Sequence, residues 1–203
     1  MAKIAVFGGS FDPPHYGHTN LLVCLKETYG IDEVLVIPAC LNPLKPPVAS
    51  PEQRLAMCHL HFDDVPGCSI LDFEVRRPTV SYTVDTLRWL MKYHRGFEQA
   101  ERFVLLGADV IPSLPQWKEV DEIFSLARPL IAARGEVDPR LVLELTPVLL
   151  QAVRDGWTDT GLFDISSTAV RDRLRRWLYV EHLVKESVVR YIHSSHIYQE
   201  EPS

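Results

Sequence analysis

The sequence predicts an α/β fold, a doubly wound parallel sheet with helices on both faces. Three observations predict it. Short β-rich apolar runs alternate with stretches of helical periodicity along the whole chain. The alternation occupies 203 residues, close to the ~100–200 residues of one domain. No internal repeat or low-complexity linker interrupts it. Strand–helix alternation on this scale builds a parallel sheet covered on both sides. Ligands of such sheets bind beyond the carboxyl ends of the strands.

The elements follow in order. Lys3 to Phe7 is a buried strand ending at Gly8-Gly9. Thr19 to Thr28 carries Leu21, Leu22 and Leu25 at helical spacing, and Gly30 closes that helix. Glu33 to Ile37 is a strand ended by Pro38, and the prolines between Cys40 and Val48 require a loop. Ser50-Pro51-Glu52-Gln53 starts a helix to about Phe62, with Ser at the cap, Pro at the first helical position and Gln closing a capping box. Cys68 to Phe73 reads as a strand, Val84 to Tyr93 as a helix, Arg102 to Leu106 as a strand ending at Gly107, and Leu130 to Ala133 as another. Asp138 to Val153 is helical in pattern, with Pro147 expected to kink or break it. Leu162 to Ile165 is a short strand, Ser166 or Ser167 caps a helix through Leu178, and Val184 to Ile192 is a last amphipathic helix.

Composition excludes several classes. With 46% apolar and 24% charged residues the chain is too hydrophobic for a disordered tail. Its net charge of −6, from 21 basic and 27 acidic side chains, argues against a nucleic-acid partner. A local cluster of donors can still bind an anionic small molecule. Cys24, Cys40, Cys58 and Cys68 form no C-x-x-C pair and read as free thiols. No apolar run reaches the ~18 residues that span a bilayer, and no signal-peptide pattern precedes the first strand. No membrane partner and a cytoplasmic location are the expectations.

Two segments at strand ends carry chemistry. In Gly8-Gly9-Ser10-Phe11-Asp12-Pro13-Pro14-His15-Tyr16-Gly17-His18 the glycines let backbone approach a ligand, and Ser10 adds a hydroxyl donor. His15 and His18 share one face of the helix start, where free N–H groups suit phosphate. Gly17 leaves room for a flat group. A plain turn with polar helix-start residues is the bland alternative. A zinc pair would need a third ligand that the sequence does not offer. In Ile165-Ser166-Ser167-Thr168-Ala169-Val170-Arg171, hydroxyls, amides and a guanidinium make a polyphosphate cradle, or else simple capping with a solvated arginine.

Together these two strings resemble the nucleotidyltransferases with an H-x-G-H signature, and more narrowly the bacterial nicotinate-nucleotide adenylyltransferases. The resemblance runs from Lys3 to about Tyr198. It implies a Rossmann-like sheet and one nucleotidyltransferase domain over residues 1–203, with 166–203 as a C-terminal helical portion. Further segments agree with it. Asn42-Pro43-Leu44-Lys45 resembles a proline-rich loop whose basic residue reaches the triphosphate. Ser81-Tyr82-Thr83-Val84-Asp85-Thr86-Leu87 resembles S-Y-T-x-x-T-L, which contacts the nicotinate carboxylate. Gly107-Ala108-Asp109 resembles a G-x-D that holds a ribose, and Leu114-Pro115-Gln116-Trp117 an L-x-x-W that stacks on the pyridine ring. Arg134 lies where the family has R-P-G, but Gly135 replaces the proline, and Leu44 stands where histidine is common.

The implied reaction moves AMP from ATP to nicotinate mononucleotide, releasing pyrophosphate and forming nicotinate adenine dinucleotide in NAD biosynthesis. The expected catalytic residues are His15, His18, Lys45 and Arg171. Expected nucleotide-binding residues are Gly8, Gly9, Ser10, Phe11, Gly107, Asp109, Arg134, Ile165, Ser166, Ser167 and Thr168. Tyr82, Thr83 and Trp117 are expected at the nicotinate. No protein-held metal is expected, because Mg²⁺ comes with ATP; a homo-oligomer is compatible with this reading. Two competitors stand beside it. One is an enzyme of the same architecture using nicotinamide mononucleotide, phosphopantetheine or a cytidylyl acceptor. The other is a nucleotide sensor without turnover.

Overall fold

The computed structural model describes residues 1–133, 135–161 and 165–198. Among the described residues, six strands form one sheet: β1 (Lys3–Gly9), β2 (Glu33–Pro38), β3 (Cys68–Ile70), β4 (Glu101–Gly107), β5 (Arg128–Ala133) and β6 (Trp157–Asp159). All pairs are parallel and the order is β3-β2-β1-β4-β5-β6. The apolar runs seen in the sequence are continuous because both faces of the sheet are covered. Successive side chains of β1 divide between two cores. Ile4 and Val6 join Val84, Leu87 and Leu90 of α3 (Thr83–Tyr93) and Val153 of α5 (Pro147–Gly156). Ala5 and Phe7 join Leu21, Leu22 and Leu25 of α1 (Tyr16–Tyr29) and Cys58 and Phe62 of α2 (Pro51–Phe62).

Two helices follow β6, α6 (Ser167–Arg175) and α7 (Glu186–Ser194). Their apolar faces make a third core, in which Val170, Leu174, Val188 and Ile192 meet Met57 of α2. The predicted capping box of α2 is present: the Gln53 N–H donates to Ser50 Oγ at 3.2 Å, and the Ser50 N–H to Gln53 Oε1 at 2.9 Å. Cys24, Cys40, Cys58 and Cys68 are free thiols. Among the described residues no helix is long and apolar enough to cross a membrane.

Several boundaries differ from the sequence reading, each for a local reason. The strand expected over Cys68–Phe73 stops at Ile70, because the chain then turns and the Arg76 N–H closes on Asp72 O at 3.0 Å. The helix expected over Asp138–Val153 is two elements. A short 3-10 helix, Pro139–Val142, is capped by Asp138, and α5 starts anew where Thr146 caps it with Pro147 in first position. The last strand is Trp157–Asp159, paired with Ile131–Ala133, not Leu162–Ile165. Of that expected strand, residues 162–164 lie outside the described residues, and Ile165 is not in a strand. The helix expected to reach Leu178 ends at Arg175. Trp177 adopts a left-handed conformation with φ of 54°, and the Leu178 N–H turns back to Arg173 O at 2.9 Å. Unforeseen are the 3-10 helix Ala108–Gln116, whose Pro112 and Pro115 disrupt an α-helical ladder, and α4 (Val120–Leu126).

One buried cation ties the loops above the sheet together. Arg54 of α2 is 0% exposed, and it donates to Ala49 O at 3.2 Å, Ser10 O at 2.8 Å and Cys40 O at 2.7 Å. Arg54→Met should therefore lower the unfolding free energy by about 3 kcal/mol, because it strands three carbonyls away from water. The midpoint of urea unfolding measures this, and an unchanged midpoint would show that Arg54 has no such role.

Candidate active site

Neighbouring clefts open at the carboxyl edge of the sheet, where β1 and β4 lie side by side. The first, of about 580 Å³, is lined by Ser10, Phe11, His15, His18, Lys45, Gly107, Asp109, Ile165, Ser166, Ser167, Thr168 and Arg171 among others. The second, of about 460 Å³, takes in Gly8, Gly9, Tyr82, Thr83 and Trp117. They share Ser10, Phe11, His18, Leu21, Gly107 and Asp109. Every site residue expected from the sequence lines one or both clefts, except Arg134, which lies outside the described residues.

His15 is the N-cap of α1, and His18 lies in its first turn. The His15 backbone N–H donates to His18 Nδ1 at 3.1 Å, and the two rings stack with centroids 3.7 Å apart. A neutral ring that accepts at Nδ1 carries its proton on Nε2. Phe11 sits edge-on to His18 at 5.1 Å and to Phe62 at 5.7 Å, so its buried ring braces the imidazole. Gly17 has a different use from the one expected. A Cβ there would come within 3.0 Å of His15 Nδ1, so the flat group beside the glycine is the His15 ring itself. At Gly107 a Cβ would collide with the Asp109 carboxylate.

Burial drives His15 down to about 3, with His61 beside it adding to the effect. Burial, then His15 and His61, push His18 well below its ordinary value. His61 falls to about 4, chiefly by burial and next by Lys185. All three rings are neutral at pH 7.

The second segment closes over the first. Ser166 caps α6 by accepting from the Ala169 N–H at 3.1 Å, while Ser167 Oγ donates to Pro13 O at 2.9 Å. Thr168 Oγ1 accepts from Lys45 Nζ at 3.0 Å and lies 3.3 Å from Arg171 Nη2. Arg171 Nη1 donates to Asp12 O at 2.6 Å. Asn42 Nδ2 donates to Ser10 Oγ at 3.1 Å, which seats the lysine loop against the glycine segment. Among the described residues, His15 Nδ1 and Arg171 Nε are buried without a hydrogen-bond partner. Orphaned polar atoms are rare in folded proteins, and both of these belong to the first cleft.

In the second cleft, Trp117 Nε1 donates to Ser113 Oγ at 3.2 Å. Lys118 lies over the Tyr82 ring at 5.0 Å and donates to the Asp85 carboxylate at 2.9 Å. Glu74 accepts a short hydrogen bond from Thr86 Oγ1, and burial pushes its carboxyl up. The sequence reading missed Lys118, Glu74, Asp12 and Arg54 as site residues. Lys118 had a signal, since it directly follows the L-x-x-W string. The other three act through contacts distant in sequence. Among the described residues no cluster of three His, Cys, Asp or Glu side chains could hold a metal ion.

The cytidylyltransferase-like family model matches residues 6–173. A relative from Methylacidiphilum infernorum is 32% identical over 198 residues, covering 97% of this chain and 92% of its own length. One from Gemmatimonas aurantiaca is 34% identical over 206 residues, covering 98% and 94%. One from Roseiflexus sp. is 35% identical over 202 residues, covering 98% of each. Each bears the name "Probable nicotinate-nucleotide adenylyltransferase". A solved structure of the Plasmodium falciparum nicotinic acid mononucleotide adenylyltransferase complexed with NaAD shares the fold, with a TM-score of 0.76 at 19% identity over 98% of both chains. The chain thus belongs to the cytidylyltransferase-like family and, within it, to the nicotinate-nucleotide adenylyltransferases.

Proposed function

We propose that the protein transfers AMP from ATP to nicotinate mononucleotide, forming nicotinate adenine dinucleotide and pyrophosphate in NAD biosynthesis. The observation that carries this is the junction of the clefts at Ser10, His18, Gly107 and Asp109. The first cleft has phosphate donors along its wall. The second has an indole, a phenol ring and an ammonium. One nucleotide in each would bring two phosphates together at His18. The Plasmodium protein of the same fold carries NaAD in its solved structure, which supports this product.

A phosphate monoester is an anion at pH 7 and needs no strong base. Its oxygen bonds to the α-phosphorus of ATP as the bond to the bridging oxygen breaks, and pyrophosphate takes that electron pair. The protein's task is to align two anions and stabilise the charge that develops. His18 does so through its Nε2–H. His15, Lys45 and Arg171 supply further donors, and Ser10, Ser167 and Thr168 place the phosphates at the N-terminus of α6. Gly8, Gly9, Phe11, Ile165 and Ser166 shape the nucleotide seat, and Asp109 accepts from a ribose hydroxyl. Tyr82, Thr83 and Trp117 hold the pyridine.

Mg²⁺ enters with the triphosphate and neutralises part of its charge. Asp12 is a poor ligand for it, since its carboxylate already accepts from Val48, Ala49 and Tyr198. The enzyme works in the cytoplasm, without a nucleic-acid or membrane partner.

Pyrophosphate release from ATP should be much faster with nicotinate mononucleotide than with nicotinamide mononucleotide. Equal rates, or release that needs no acceptor, would refute the assignment. His18→Ala should lower kcat by roughly 10²–10³-fold, as for loss of an electrostatic donor. Near-normal turnover would remove His18 from the mechanism.

Lys118 is the one lysine or arginine among the described residues lining the second cleft, which suits a pyridine carboxylate. Lys118→Met should raise KM for nicotinate mononucleotide by about tenfold and leave KM for ATP unchanged. Steady-state kinetics in each substrate separates the two.

The buried histidines also set a pH dependence of stability. His15, His18 and His61 have folded values below the unfolded value of 6.5. The unfolded chain therefore binds more protons at acid pH. Their contribution is fully present above about pH 6.5 and is lost as pH falls toward 4. The urea midpoint should drop between pH 7 and pH 5, and His61→Leu should flatten that slope.

A further inference from the structure

We propose that Tyr198 is a positioning residue for the triphosphate cleft, holding the Asp12 carboxylate out of direct hydrogen bonding with the Arg171 guanidinium that faces the phosphates. The proposal rests on the adenylyl-transfer reading for the identity of the anion.

Asp12 sits inside the glycine-rich loop and is 4% exposed. Its carboxylate accepts from the Val48 N–H at 2.8 Å, the Ala49 N–H at 3.0 Å and the Tyr198 hydroxyl at 2.6 Å. Arg171 Nη1 forms an ion pair with Asp12 Oδ2 at 3.6 Å, longer than a hydrogen bond, and donates to the backbone oxygen of the same residue at 2.6 Å. Asp12 thus joins the lysine loop, α6 and the end of the chain at one point. Thr168 joins two of them again, because Lys45 and Arg171 both approach its hydroxyl.

The geometry sets up a competition. A buried carboxylate beside a buried guanidinium forms a tight pair unless other donors hold it away. A direct hydrogen-bonded pair would take up guanidinium N–H groups that a triphosphate needs. Among the described residues three donors fix the carboxylate, the Val48 N–H on Oδ2, which faces Arg171, and the Ala49 N–H and the Tyr198 hydroxyl on Oδ1, and Tyr198 is the one side chain among them. Its ring is 7% exposed and packs in the third core with Val170, Met57 and Ala49, so the core fixes where the hydroxyl lies. Burial and then the Asp12 carboxylate push the phenol far above its ordinary value, so the hydroxyl keeps its proton and donates. Tyr198 also adopts a left-handed backbone with φ of 63°, uncommon for a residue with a side chain. The turn beyond α7, with left-handed backbone at His196 and Tyr198, brings this hydroxyl to Asp12.

Tyr198→Phe removes one oxygen and keeps the ring. Titration calorimetry of ATP with Mg²⁺ onto the full chain should show binding weakened by about tenfold, the scale of a hydrogen bond to a charged group. KM for nicotinate mononucleotide should stay within about twofold, since the second cleft is untouched. In an Arg171→Lys background the same change should weaken ATP binding by less than about twofold, because Tyr198 acts through Arg171.

ATP binding unchanged by Tyr198→Phe would overturn the proposal. So would an effect of equal size in the Arg171→Lys background, or a Phe variant that cannot be obtained folded, which would mark the hydroxyl as structural. ATP binding is read without turnover. An enzyme that binds ATP but releases no pyrophosphate with nicotinate mononucleotide would therefore defeat the functional reading and leave the calorimetric comparison to decide on Tyr198.

Discussion

The position of β1 constrains everything else. It lies between β2 and β4, and the chain crosses from it to β2 on one side and returns later as β4 on the other. Helices α1 and α2 therefore cover one face, and α3, α4 and α5 the other. At the carboxyl end of the β1–β4 pair neither set provides a roof. A crevice at this reversal is a property of the topology, before any functional side chain is added. The glycine-rich segment leaves β1 there and Gly107–Asp109 leaves β4 there. That is why residues about 90 positions apart share one cleft.

The electrostatics of that crevice follow from burial. A buried cation is costly, whereas a buried neutral donor costs little once its other atoms are satisfied. His15 and His18 are neutral, and the helix start they occupy supplies dipole and N–H groups without a formal charge. The formal cations, Lys45 and Arg171, are divided by environment. Lys45 is on an exposed loop, and Arg171 is 8% exposed with its compensation at Asp12. A chain with net charge −6 can thus bind a triphosphate, because the local donor set and not the net charge decides the affinity.

The legible parts of the site are those fixed locally. His15 and His18 are one helical turn apart, and Ser166 to Arg171 span another helix start, so spacing alone put them at helix N-termini. Trp117 and Tyr82 were legible through family resemblance, since a lone aromatic does not announce a stacking platform. The roles of Asp12, Arg54 and Tyr198 were not legible. Each depends on partners brought together by tertiary structure, 186 residues apart for Asp12 and Tyr198. No periodicity encodes such a contact. The fold follows the same division. Long apolar strands and capped helices read well. The three-residue β6 is too short to complete a pattern, and in the 3-10 helix Ala108–Gln116 it is Pro112 and Pro115 that break one.

The C-terminal helices look like an addition to a finished sheet, yet the contacts make them part of the catalytic frame. The N-terminus of α6 contributes Ser167 and Thr168 to the cleft. Its apolar face and that of α7 rest on α2, where Met57 lies one turn from Arg54. Arg54 holds Ser10, Cys40 and Ala49, and Asp12 holds Val48 and Ala49. These links close a ring from the β1 loop through α2 and the lysine loop to α7 and back. This ring of contacts ties α7 and α2 to the glycine-rich loop that leads into the start of α1, where His15 and His18 lie. Precision of this order, in a site built mostly on loops, comes from the buried polar frame behind it and not from the loops themselves.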